Sequence, residues 1–172
     1  HVCMTYEPVE SKYVAGQPWV GATLTMFAGP DGVMGGFTAW DPIKGKNVWY
    51  NKEKFSAWGG VLTTASDLVF YGTLDRWFKA VDAQSGKELW KFQVGSGVIG
   101  NAFTYGHKGK QYVGVLSGIG GWAGVAMNLG MTNPTDALGA AGGYAELTKY
   151  NAAPGGGALS LSLIHISEPT RQ

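Results

Sequence analysis

An eleven-residue segment of this chain returns forty-one residues further on, and that spacing limits the architecture more than any other feature. Ala39-Trp40-Asp41-Pro42-Ile43-Lys44-Gly45-Lys46-Asn47-Val48-Trp49 recurs as Ala80-Val81-Asp82-Ala83-Gln84-Ser85-Gly86-Lys87-Glu88-Leu89-Trp90, with Ala, Asp, Gly, Lys and Trp in register. A period of about 40–45 residues suits one four-stranded propeller blade. The recurring residue types each have a physical task. Asp at a strand end caps the following turn, and Gly four positions on supplies the positive φ that a tight turn needs. Trp then enters the next strand with a large flat surface for packing between blades. Trp49 and Trp90 are therefore expected at equivalent places one blade apart. Each is expected against a neighbouring blade, near the peptide plane of a glycine-containing turn.

Composition agrees with an all-β reading. Glycine supplies 28 of 172 residues, aromatics 13% and charged residues only 15%, which favours short strands joined by tight turns over disorder. A net charge of +1 with no dense Lys/Arg run gives no electrostatic support for a nucleic-acid or anionic-membrane partner. No run of eighteen apolar residues exists, so no membrane span is expected. The opening His1-Val2-Cys3-Met4 has neither a charged n-region nor an apolar h-region, so no secretory signal is expected within these residues. Cys3 is the only cysteine, which leaves two readings. It is a small buried thiol, or half of a disulfide whose partner lies upstream.

Strand signals succeed one another up to about residue 123. Residues 19–27 read as a strand ended by the turn Gly29-Pro30-Asp31-Gly32, and 36–41 with 46–50 flank the first motif copy. The clearest unit is 60–94. Its runs 60–65, 68–73, 77–82 and 87–94 are separated by short turn sequences, as in one antiparallel blade. Residues 99–105 and 111–116 form half of another blade, with His107 a solvated residue in its turn. Beyond it, 135–141 and 143–149 are candidates for short helices, kept brief by Gly139, Gly142 and Gly143. The last stretch, Leu161-Ser162-Leu163-Ile164-His165-Ile166-Ser167-Glu168-Pro169-Thr170-Arg171, resembles a sequencing adapter translated in frame. Residues 1–160 are accordingly expected to be the C-terminal blades of a propeller and 161–172 a non-native tail. Leu/Ser alternation still allows 159–163 to mimic a strand, and Pro169 interrupts any strand beyond it.

The repeated motif resembles the docking motif of the eight-bladed propeller quinoproteins. Phe55-Ser56-Ala57-Trp58-Gly59-Gly60-Val61-Leu62, Phe70-Tyr71-Gly72-Thr73-Leu74-Asp75 and Gly118-Ile119-Gly120-Gly121-Trp122-Ala123-Gly124 narrow the likeness. They resemble the C-terminal part of the large subunits of pyrroloquinoline-quinone (PQQ)-dependent methanol and alcohol dehydrogenases. Gly35-Gly36-Phe37-Thr38-Ala39-Trp40-Asp41 is closer to the lanthanide-dependent Xox type than to the calcium-dependent type. The resemblance covers residues 1 to about 160 and implies a partial eight-bladed β-propeller. It also implies oxidation of a primary alcohol in the periplasm, with hydride passing to PQQ. The implied partners are a cytochrome c acceptor and, in the full-length protein, a second copy as homodimer. A lanthanide or calcium ion polarises the quinone, and an aspartate is the base. Those metal ligands and that base belong to earlier blades, so no catalytic residue and no metal ligand is expected here. Asp41 and Asp82 belong to turns instead.

Two places correspond to cofactor-pocket positions of the family. Trp58 matches a tryptophan lining the quinone site, and the neighbouring Gly59 N–H matches a donor to a quinone oxygen. Trp122 matches a tryptophan at the pocket rim that narrows alcohol access. Packing between blades is the competing reading for both tryptophans. Cys3 matches a family cysteine in a disulfide. The competing class for the whole chain is a periplasmic propeller scaffold for protein assembly without cofactor, which explains the repeat but not Trp58-Gly59 and Gly121-Trp122.

Overall fold

The computed structural model describes residues 2–10, 12–13, 15–16, 21–121, 124, 144 and 147, with the backbone of 158–163. Among the described residues eleven strands run in chain order as β1 (Val2–Pro8), β2 (Ala22–Ala28), β3 (Gly35–Asp41), β4 (Lys46–Glu53), β5 (Leu62–Thr63), β6 (Leu68–Gly72), β7 (Trp77–Asp82), β8 (Glu88–Gln93), β9 (Ala102–His107), β10 (Lys110–Ser117) and β11 (Ala158–Leu163). They form four antiparallel sheets ordered β1-β2, β3-β4, β5-β6-β7-β8 and β11-β10-β9. The four-stranded sheet is the blade expected over 60–94. Its legibility follows from burial on both faces. Along β6, Val69 and Tyr71 face a cluster with Phe37 and Trp49, whereas Phe70 joins Phe78, Val98, Val113 and Val115 on the other side. A strand covered on both faces is continuously apolar.

The two motif copies form the same hairpin. In both, the pairing register slips at one position: Ala39 faces Trp49 but Trp40 faces Asn47, and Ala80 faces Trp90 but Val81 faces Glu88. Val48 and Leu89 are thus the extra residues of matching bulges, which turn the Trp to the sheet face it needs. Asp41 Oδ1 accepts the N–H groups of Ile43 and Lys44, both at 3.0 Å. Asp82 Oδ1 accepts those of Gln84 at 3.2 Å and Ser85 at 2.8 Å. Gly45 and Gly86 close the turns at φ 61° and 70°.

These hydrogen bonds hold both carboxyls below their ordinary value of 3.8, through the Lys44 amide first at Asp41 and the Ser85 hydroxyl first at Asp82. A carboxyl with a lowered folded value stabilises the fold above its unfolded value and loses that effect as pH falls through the folded one. Thermal melts from pH 5 to 2 should therefore show stability falling below about pH 4. The D41N/D82N variant, which keeps the acceptor oxygens but cannot ionise, should show a shallower fall. An identical slope in both proteins would exclude the two turns as its source.

Trp49 docks as the repeat predicts. Its Nε1–H donates to Ala83 O at 2.9 Å, and a Cβ on Gly86 would lie 2.6 Å from the indole ring. Only glycine leaves room for that stacking. Asn51 Nδ2 adds a bond to Gly86 O at 2.6 Å. Trp90 packs, as expected, against a cluster that includes Val113 and Val115 of the neighbouring sheet. It also meets Phe78 edge-on and stacks on Phe92, whereas the positions one repeat beyond the Asp82–Gly86 turn, 123–127, lie outside the described residues except for 124. Strands β9 and β10 join through the two-residue turn Lys108-Gly109, with φ 50° and 71°. His107 is exposed but ends β9 and does not sit in the turn.

Strand β1 had no expectation attached to it. It is mostly exposed, pairs with β2 from Val2–Ala28 to Pro8–Ala22, and places Cys3 opposite Phe27. Strand β2 starts at Ala22, and Trp19 and Val20 lie outside the described residues. Strand β11 adds to β10, with Leu163 facing Tyr112 and Ala158 facing Ser117. The pairing therefore crosses residue 160, as Leu/Ser alternation allows. Residues 164–172 lie outside the described ones. Tyr144 and Leu147 are helical, within the span expected for a short helix, whereas 135–141 lies outside the described residues. Among the described residues no helix is long and apolar enough to cross a membrane.

Candidate functional site

The connection from β4 to β5, residues 54–61, carries Trp58 and Gly59 and is fixed along its length. At its start Glu53 is 6% exposed and paired to the next sheet. It accepts Tyr71 Oη–H at 2.6 Å and Lys79 Nζ at 2.9 and 3.0 Å. Burial first, and then the bond to Glu53, push the Tyr71 phenol far up, so it stays a neutral donor. Phe55 is buried with Met26, Met34, Leu74 and Tyr144. Ser56 Oγ–H donates to Met34 O at 3.3 Å.

The far end rests on 98–101. A Cβ on Gly59 would lie 3.0 Å from Gly100 O, so glycine permits this backbone contact. Gly60 N–H donates to Asn101 Oδ1 at 2.9 Å. The second family-like segment reaches the same place. Gly118 N–H donates to Gly97 O at 2.7 Å, and Val98 and Gly118 form a parallel bridge. Segments 58–60 and 118–121 thus flank one stretch, 97–101. Trp122 lies outside the described residues, so its place at a pocket rim is taken up below as a proposal.

Trp58 is 40% exposed. Its Nε1–H donates to Tyr144 Oη at 3.3 Å, with the rings 5.9 Å apart and inclined at 78°. Both rings line a cavity of about 290 Å³ together with Val2, Met4 and Met26 from β1 and β2 and with Ser56 and Ala57. An open indole face over a mostly apolar cavity is the surface on which a planar conjugated ring stacks, so this part fits a quinone. Asp41 and Asp82 cap separate turns and do not form a carboxylate pair. Among the described residues no three His, Cys, Asp or Glu side chains gather where they could hold a metal.

Sequence reasoning missed Tyr144 and Asn101. Nothing near Trp58 in sequence signals Tyr144, 86 residues away. Residues 99–101 read as strand, whereas β9 begins at Ala102 and they serve as the floor for Gly59 and Gly60.

Comparison with known proteins gives the same class. Residues 33–113 match the family described as PQQ, the β-propeller domain of glucose, ethanol and alcohol dehydrogenases. Those residues carry a PQQ-dependent dehydrogenase domain. It is 59% identical over 152 residues to the lanthanide-dependent methanol dehydrogenase of Methylorubrum extorquens, covering 87% of this chain and 25% of that protein. It is 47% identical over 169 residues to subunit 1 of the cytochrome c methanol dehydrogenase of Methylobacterium organophilum, covering 95% of this chain and 27% of that one. A solved europium-containing methanol dehydrogenase superposes with a TM-score of 0.80 at 47% identity, over 93% of this chain and 29% of that one. The chain therefore spans about a quarter of the length of the curated relatives it matches.

Proposed function

We propose that this chain forms the C-terminal blades of a PQQ-dependent dehydrogenase that oxidises methanol or another primary alcohol to the aldehyde. The observation that carries this reading is the indole of Trp58, open on one face over an apolar cavity and bonded to Tyr144. Trp58 and the Gly59 N–H are the proposed quinone contacts, and Trp122 the proposed rim that narrows alcohol access. Bound PQQ would supply the hydride acceptor. The part of this chain is to present an aromatic wall and to hold it still. The metal ligands and the base would come from the rest of the protein. Identity of 59% to a lanthanide-dependent relative, against 47% to the cytochrome c enzyme's subunit, favours a lanthanide over calcium. A periplasmic location, a cytochrome c acceptor and a homodimer belong to the same proposal. Residues 161–172 are proposed to be read-through sequence outside this machinery.

The test uses the intact dehydrogenase that carries this segment. Trp58→Ala should weaken quinone binding roughly tenfold, the scale of a lost aromatic stack together with its apolar contact. Purification without any quinone absorbance would instead favour the cofactor-free scaffold. The 172-residue chain alone, given quinone and metal, should show no dye-linked turnover. Turnover by it would overturn the assignment of base and ligands to the remainder of the protein.

A further inference from the structure

Tyr144 has a role that no resemblance assigns to it. It is 2% exposed, and a buried phenol hydroxyl needs a hydrogen-bond partner. Trp58 Nε1–H donates to that hydroxyl at 3.3 Å. The two rings also meet at 5.9 Å and 78°, the edge-to-face geometry in which the positive rim of one ring approaches the negative face of the other. Tyr144 is itself held firmly. It packs among Phe55, Met34 and Leu74, and Leu147, one helical turn further on, packs against the same cluster.

Trp58 presents the opposite case, since 40% of its surface is open and its loop lies at the cavity edge. An indole so exposed has several staggered rotamers open to it unless a directional contact selects one. The bond that Trp58 donates to Tyr144 supplies one such direction. We propose that Tyr144 is a positioning residue that fixes the plane of the Trp58 indole against which the quinone packs. This rests on the reading of Trp58 as a wall of the quinone site.

The experiment uses the intact dehydrogenase carrying this segment, labelled with 5-fluorotryptophan, with the Trp58 line assigned by loss in W58F. Tyr144→Phe keeps the ring and its packing and removes only the hydroxyl. The Trp58 fluorine line should shift and broaden, and the dissociation constant for PQQ should rise roughly fivefold, the effect of one lost neutral hydrogen bond. In the W58F background the same change should alter PQQ binding less than twofold. An unmoved Trp58 line, or an equal loss of binding in the W58F background, would overturn the role of Tyr144. A line that moves while PQQ affinity stays the same in both Y144F and W58F would instead overturn the cofactor role of Trp58. Circular dichroism checks that Y144F folds. Hydrogen exchange at the Trp58 indole in the unaltered protein gives a second measure, expected to be slower than at the exposed Trp40.

Discussion

Trp49→Ala should loosen the junction between the β3-β4 hairpin and the four-stranded sheet, at a cost of about 3–5 kcal/mol. Three losses coincide at that side chain. The ring leaves the cluster it shares with Phe37, Tyr71 and Val81. The face of Gly86, open because glycine has no Cβ, loses its cover. Ala83 O loses the indole N–H at 2.9 Å. Trp49→Phe separates these effects: it keeps most of the apolar cover and should cost only about 1 kcal/mol beyond the volume change, for the missing hydrogen bond. Urea unfolding of the three proteins reads the difference. A Trp49→Ala midpoint within error of the unaltered protein would mean that the indole does not join the two sheets.

The second large effect concerns charge. Lys79→Met should destabilise the fold by about 3–5 kcal/mol, because it strands the Glu53 carboxylate in the sheet interface. Glu53 is 6% exposed and takes both lysine bonds, so water does not readily replace the ammonium. Tyr71 Oη–H would remain its chief donor, at 2.6 Å. Removing both charges, as in E53Q/K79M, should recover most of the loss, since neither group is then left unpaired. The comparison decides between packing and charge. If the double variant is as unstable as Lys79→Met, the lysine stem and not its charge matters. Glu53 begins the connection that carries Trp58, so the single variant should also loosen that loop.

The repeat was the most legible part of the chain because backbone geometry demanded particular residues. Asp41 and Asp82 each cap a turn, and Gly45 and Gly86 each need a positive φ, so composition and spacing were enough. The sheet β5-β6-β7-β8 was legible for a related reason, its alternate side chains being buried on opposite faces. Strand β1 was not, since its exposed, mixed residues carry no alternation and take their strand form from pairing with β2. At the candidate site, Trp58 and Gly59 were readable through resemblance alone. Tyr144 and Asn101 were not, because a contact across 86 or 41 residues leaves no local pattern.

The Trp49 junction also gives the arc a polarity. The hairpin that contains Asp82 and Gly86 offers a socket, and the plug that fills it comes from the hairpin before. Damage to the socket is therefore felt upstream of where it lies. A side chain placed at Gly86 would strain its own turn, and would also expel a tryptophan thirty-seven positions earlier, counting from Gly86 back to Trp49. Sites of damage and sites of disorder need not coincide in such a chain, and each lesion points back along it to the unit that has lost its hold.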